Sequence, residues 1–242
     1  MKHIGVLERE LSGWQRLRAW LKARSPLERL VATHRGPRLF KWQHYYRIYD
    51  QHFRHWRGRS ITVLEIGIGS GGSLQLWRRY FGHSCSIIGV DILEHNRRHS
   101  SPGIRVEIGS QDDAAFLEQV ALRHGPFDIV IDDGSHVHAH QRTTFLTLFP
   151  HLKDGGIYAC EDLCSSYWKD EYNGGPGVSS SFAEYLKTLV DDLNGWFWKQ
   201  DFSHESETVG RNTASLHFYP ALAILTKHHL SPPVVLHVGA VG

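Results

Sequence analysis

Two short stretches hold the carboxylates that could do chemistry. The apolar run Phe127-Asp128-Ile129-Val130-Ile131 ends in Asp132-Asp133-Gly134-Ser135-His136, and Ile157-Tyr158-Ala159-Cys160 ends in Glu161-Asp162. Both runs read as buried strands. In an open α/β sheet, ligands bind beyond the carboxyl ends of the strands. With the two strands as neighbours, three or four carboxylates share one small volume. Like charges that close repel unless protons or a cation neutralise them. A hard, oxygen-seeking divalent cation answers that need, and Mg²⁺ fits best. Bound hydroxyls become more acidic on such a cation. A base must then take the proton, and His136, one short turn after Asp133, is placed to do it.

A third stretch reads as the entrance to a nucleotide-type site. The apolar run Ile61 to Ile66 is followed at once by Gly67-Ile68-Gly69-Ser70-Gly71-Gly72, and then by the helical pattern Ser73-Leu74-Gln75-Leu76-Trp77. A glycine-rich turn between a strand and a helix lets a ligand approach the backbone and leaves free N–H groups at the helix start. About twenty residues further on, Ser86-Ile87-Ile88-Gly89-Val90 ends in Asp91, an acid that can accept both hydroxyls of a ribose. Gly67, Gly69 and Gly72 also satisfy the G-x-G-x-x-G dinucleotide fingerprint, so a NAD enzyme is one reading. Glu65 favours another. Glu65, Gly67, Gly69 and Gly71 match the pattern E/D-x-G-x-G-x-G of proteins that use S-adenosylmethionine (SAM). The stretch therefore resembles motif I of the class I methyltransferases, and Asp91 resembles their ribose-binding acid. Ser73 and Asp132 join these residues in the expected cofactor set.

The elements that must position these residues alternate regularly. After Asp91 and a polar loop comes a strand, Ile104 to Ile108, ending in Gly109-Ser110-Gln111-Asp112. A helix from Asp113 to His124 leads to Gly125-Pro126 and the strand at Phe127. A helix from about His138 to Leu152 leads through Asp154-Gly155-Gly156 to the strand at Ile157. Such alternation means a parallel sheet with right-handed crossovers. Tyr167 to Ser181 is a long Gly- and Ser-rich loop, suited to a lid or acceptor-binding role, and residues 182–196 form a helix. Two runs around Pro220, Thr213 to Tyr219 and Leu222 to Lys227, read as a terminal hairpin. The expected fold is α/β: a doubly wound, mostly parallel seven-stranded sheet, Rossmann-like, with a C-terminal antiparallel hairpin and an N-terminal helical extension. The expected organisation is a basic helical extension or lid over 1–58 and a SAM-binding domain over 59–242.

A closer resemblance rests on several strings together. Phe127 to His136, Leu148-Phe149-Pro150, Gly155-Gly156-Ile157-Tyr158, Glu161-Asp162-Leu163 and Ser166-Tyr167-Trp168, with Leu74-Gln75-Leu76-Trp77 and Tyr80-Phe81, look like the metal-dependent macrolide-sugar O-methyltransferases of the mycinamicin type. The match runs from about residue 39 to 227. It implies a SAM- and Mg²⁺-dependent O-methyltransferase acting on a sugar hydroxyl of a glycosylated natural product or saccharide. By that resemblance Asp133, Glu161 and Asp162 are metal ligands, His136 is the base with Asp133 beside it, and Gln111 and Asp112 lie at the adenine. Hydroxylase-like oxidoreductases share the fold, so the fold alone does not choose the reaction. The other alternative is methylation of another small-molecule hydroxyl.

Bulk properties bound the setting. No apolar run is long enough to span a membrane, and Cys85, Cys160 and Cys164 give neither a disulfide framework nor a zinc spacing, which fits a reducing cytoplasm. The net charge of +2 hides an asymmetry: residues 1–59 hold fourteen Lys or Arg against four Asp or Glu, and the remainder is acidic. A basic extension on an acidic core suggests a homo-oligomer or a peripheral membrane contact. Residues 5–24, with Leu7, Leu11, Trp14, Leu17 and Leu21, read as an amphipathic helix, Ser25-Pro26 as the start of a short one, and the aromatic-rich residues 39–56 as a helix covering the cofactor pocket. Nucleic acid is not expected: Asp132-Asp133-Gly134-Ser135 stands where amino-methyltransferases carry a Pro-Pro-aromatic tetrapeptide.

Overall fold

The computed structural model describes residues 10–198 and 207–239. Seven strands form one sheet: β1 (Thr62–Ile66), β2 (Ser86–Asp91), β3 (Ile104–Ile108), β4 (Phe127–Asp132), β5 (Leu152–Cys160), β6 (Thr213–Tyr219) and β7 (Leu222–Lys227). Their order is β3-β2-β1-β4-β5-β7-β6. The first five are parallel, and β7 enters antiparallel between β5 and β6. The expected sheet and its terminal hairpin are both present. The order reverses between β1 and β4, which opens a crevice at their carboxyl ends.

Helices cover both faces. On one side lie α2 (Pro26–Ala32), α3 (Tyr45–Phe53) and α4 (Gly72–Phe81), after α1 (Gly13–Lys22). Leu27, Tyr45, Tyr49 and Phe53 join Trp77 of α4 and the side chains of Val63, Ile87, Ile129, Ile157 and Ile224 in one buried cluster. On the other side α5 (Ala114–His124) and α6 (His138–Leu148) precede α7 (Lys169–Tyr172) and α8 (Phe182–Leu193). Leu117, Phe145 and Leu186 pack there on Leu64, Val130, Tyr158 and Leu225. Strand residues alternate between these clusters because successive side chains point to opposite faces.

Local sequence explains most boundaries. Ser25 caps α2, accepting from the Glu28 N–H, and Pro26 fills the first turn. Asp113 caps α5 rather than beginning it. α6 stops at Leu148 because Pro150 cannot continue the ladder, and a 3₁₀ turn, Phe149–His151, carries the chain into a β5 longer than expected. Part of the expected loop after Tyr167 winds into α7. The aromatic segment is helical only from Tyr45, and residues 39–44 are irregular. Residues 5–9 of the expected first helix lie outside the described residues. α1 has no buried residue and rests on α2, with Trp14, Leu17 and Leu21 exposed. No helix among the described residues is long and apolar enough to cross a membrane.

Candidate active site

A cavity of about 740 Å³ lies beyond the carboxyl ends of β1, β2, β3 and β4, within the size range of small-molecule sites. Gly67, Gly69, Ser73, Asp91 and Gln111 line one part of it, and Asp133, His136 and Asp162 line the other. Gly67 has φ 79°, and a Cβ there would collide with the Asp133 carbonyl. Glycine at this position is what lets the β1 turn lie against the β4 loop. Asp91 accepts from the backbone N–H groups of Ile68 at 3.2 Å and Leu93 at 2.9 Å. Its carboxylate is thus fixed by the turn while it borders the cavity.

Five of the expected residues do not reach the cavity wall: Glu65, Gly71, Asp112, Asp132 and Glu161. Asp132 lies behind the cavity wall, on the far side of Gln111. It shares its sheet face with Val130 and Tyr158, and its carboxylate accepts from Gln111 Nε2 at 3.1 Å and Tyr158 Oη at 3.0 Å. Burial pushes its pKa up to about 7, against the pull of these donors. Gln111 is held in turn by Thr144 Oγ1 and by the Ser135 N–H, so Asp132 braces two cavity-lining residues, Gln111 and the Gly134 backbone. Asp112 accepts from the Ser110 hydroxyl, which lines the cavity in its place. Gly71, at φ 76°, is the N-cap of α4, beside His99.

Glu65, Asp133 and Glu161 share the opposite sheet face, toward the irregular segment before α3. That segment delivers Lys41, which sequence reasoning missed. Its Nζ lies 2.6 Å from Asp133 Oδ2, 2.6 Å from Glu161 Oε1 and 3.1 Å from Glu65 Oε1. Burial would lower the Lys41 pKa, but Asp133, Glu161 and Glu65 outweigh it and hold the ammonium well above its usual range. Burial, together with repulsion from Glu161, pushes the Asp133 carboxyl up, and burial raises Glu161 too. Glu161 Oε1 also accepts from Tyr49 Oη at 2.6 Å. Trp42 Nε1 donates to Asp162 Oδ1 at 2.7 Å, and Tyr45 Oη lies 2.9 Å from the same oxygen. The aromatic segment therefore supplies hydrogen-bond donors to the acids, beyond forming a cover. Period-two parity along β1, β4 and β5 was the signal that could have separated Asp132 from Asp133 and Glu161.

The donor set fits a hard cation in part. Asp133, His136 and Asp162 each offer one ligand atom, all within 4.8 Å of one another. Glu161, expected in that set, is instead turned to Lys41 and Tyr49. His136 Nε2 lies 3.5 Å from Asp162 Oδ2. Desolvation lowers the His136 pKa, Asp162 opposes this and Lys41 reinforces it, which favours the neutral ring. His136 and Asp162 have φ of 58° and 54°. Left-handed backbone at two non-glycine residues costs about 1–3 kcal/mol each and marks a place where geometry outranks comfort.

Residues 64–163, which hold both walls of the cavity, match the family model described as a methyltransferase domain. The chain has the fold of the class I methyltransferases. Its antiparallel β7 agrees, since nicotinamide domains end in a parallel strand. Among curated relatives of this methyltransferase, the 8-demethyl-8-alpha-L-rhamnosyl tetracenomycin-C 2'-O-methyltransferase of Streptomyces olivaceus is 41% identical over 186 residues, 74% of this chain and 49% of that protein. The mycinamicin VI 2''-O-methyltransferase of Micromonospora griseorubida is 40% identical over 190 residues, 74% of this chain and 47% of that one. The chain spans about half the length of the curated relatives it matches. A solved methyltransferase of the mycinamycin biosynthetic pathway, in complex with Mg and SAH, superposes with a TM-score of 0.77 at 37% identity, covering 85% of this chain and 55% of that one.

Proposed function

We propose that this methyltransferase transfers the methyl of SAM to a sugar hydroxyl of a glycosylated natural product or saccharide, with Mg²⁺. The observation that carries the reading is that one cavity has the glycine turn and Asp91 on one wall and Asp133, His136 and Asp162 on the other. The relatives named above are O-methyltransferases, one of them of a rhamnosyl tetracenomycin, and one solved relative holds Mg, SAH and mycinamycin VI.

SAM is a substrate in this scheme. Gly67 and Gly69 let its methionine end approach the backbone, Asp91 accepts from the ribose hydroxyls, and Gln111 stands near the adenine with Asp112 behind. Glu65 sits under the turn, its Oε1 3.1 Å from Lys41 Nζ, and contributes negative charge near the methyl donor. Asp133, Glu161 and Asp162 would hold Mg²⁺, which when bound makes an acceptor hydroxyl more acidic. His136, neutral through desolvation, takes the hydroxyl proton at Nε2, and Asp162 stabilises the imidazolium that results. The acceptor oxygen then attacks the sulfonium methyl, and S-adenosylhomocysteine leaves. Arg38, Phe40 and Lys41 also line the cavity, and we take residues 1–58 as its lid.

The test is methyl transfer to a vicinal-diol glycoside with EDTA titrated in. Full activity in excess EDTA would reject the metal. NADH binding without S-adenosylhomocysteine binding would reject the cofactor. We further assign a cytoplasmic homo-oligomer, in which the basic α1, with its exposed Trp14, meets the acidic core of a second copy. Deleting residues 1–24 should then lower the mass in light scattering. Salt-sensitive sedimentation with anionic liposomes, and an unchanged mass, would point to a membrane surface instead.

A further inference from the structure

Lys41 is a buried cation with no step of its own in methyl transfer. Its side chain is 1% exposed; its ammonium donates to Asp133 and Glu161 and forms an ion pair with Glu65 at 3.1 Å. Two of those partners are the carboxylates that the proposed Mg²⁺ site needs. An oxygen that accepts from an ammonium at 2.6 Å has given that lone pair away, and a fixed positive charge there repels a divalent cation.

We propose that Lys41 is a tethered stand-in cation, which holds Glu65, Asp133 and Glu161 together in the metal-free protein and competes with the divalent cation for Asp133 and Glu161. The inference rests on the metal site proposed above. Without Lys41, three carboxylates would face one another, two of them with side chains 0% and 1% exposed. Unpaired buried charge of that kind is strongly destabilising. Lys41 therefore lets the site fold before metal arrives, and weakens metal binding in exchange. The placement suits the task. Lys41 lies in the irregular stretch before α3, so no helix ladder fixes its backbone, and its four-carbon stem can swing. The next residues along, Trp42 and Tyr45, hold Asp162 Oδ1 and leave Oδ2 toward the cavity side, near His136.

Mn²⁺ binding followed by electron paramagnetic resonance tests this without SAM, acceptor or turnover. Lys41→Met should bind Mn²⁺ at least about tenfold more tightly than the parent chain, since a competing charge is removed. Its melting temperature in EDTA should fall, and Mn²⁺ should restore it. Mn²⁺ affinity that is unchanged or weaker would overturn the proposal. Should Lys41→Met fail to fold in EDTA, folding driven by Mn²⁺ supports the same competition. Lys41→Met and Lys41→Gln that both stay unfolded in saturating Mn²⁺ would overturn it. If neither the parent nor Lys41→Met binds Mn²⁺, the metal site falls and this proposal with it. If the parent binds and Lys41→Met binds no more tightly, only the role of Lys41 falls.

Discussion

At the end of β2, Asp91 stands apart from other carboxylates, held by two backbone N–H groups from nearby turns, and one edge of it borders the cavity. At the ends of β4 and β5, Asp133, Glu161 and Asp162 crowd together and take side-chain donors from Lys41, Trp42, Tyr45 and Tyr49. Lys41 is 92 residues from Asp133 and 120 from Glu161. The difference shows what each arrangement demands. An isolated carboxylate is satisfied by local backbone and remains open to a neutral ligand such as a ribose. A cluster must import positive charge from a remote segment, and the same surplus charge suits it to a metal.

Asp133→Ala is the most damaging way to break the acid side. It should remove most methyl transfer and most divalent-cation binding, while S-adenosylhomocysteine affinity changes little in calorimetry. Equal loss of both affinities would mean that the two regions act as one. His136→Ala should leave cation and cofactor binding in place, with turnover lower by about 10²- to 10⁴-fold. An active His136→Ala would move the base elsewhere in the cluster.

The cofactor side is sharpened by the reciprocal change. Asp91→Ala should weaken S-adenosylhomocysteine by roughly 10- to 100-fold, the worth of hydrogen bonds to a charged acceptor, and leave Mn²⁺ affinity alone. Gly67→Ala probes the seam between the regions. A left-handed backbone pressed on the Asp133 carbonyl should cost about 1–3 kcal/mol in denaturant unfolding. A neutral outcome would show that the β4 loop can yield.

The smallest effect belongs to a site remote from both. Burial, then His217 and His55, push the His52 pKa down to about 4. Its Nε2 lies 2.9 Å from Tyr219 Oη, where α3 meets β6. The unfolded chain takes up this proton near pH 6.5 and the folded one does not. His52 therefore contributes stability that is present above pH 6.5 and is lost as pH falls toward 4. His52→Gln should flatten the melting temperature over that window and leave both binding affinities unchanged.

Much of the scaffold could be read directly. Apolar runs, Gly-Pro breaks and the hairpin around Pro220 located the strands because these signals are local. Glu65, the glycines and Asp91 could be grouped as one expected site for the same reason: a turn and the strand it follows are contiguous. The acid cluster was legible only as a population. The chain order shows which carboxylates follow β4 and β5, and period two assigns their faces once the register is known. That parity puts Asp132 on one face of the sheet and Asp133 and Glu161 on the other.

Residues 39–56 show the limit most plainly. Their sequence announces aromatic side chains, and it does determine a helix from Tyr45 onward. It carries no sign that Lys41 will end among three acids, because that pairing has no spacing rule. It depends on sheet order, on which face each carboxylate takes, and on the packing of α3 against α4 through Tyr49 and Trp77. The sequence alone determined the strands, the glycine turn and the supply of carboxylates. Only the tertiary structure decided which carboxylates meet and which cation lies among them, since Coulomb energy depends on distance in space and not on distance along the chain.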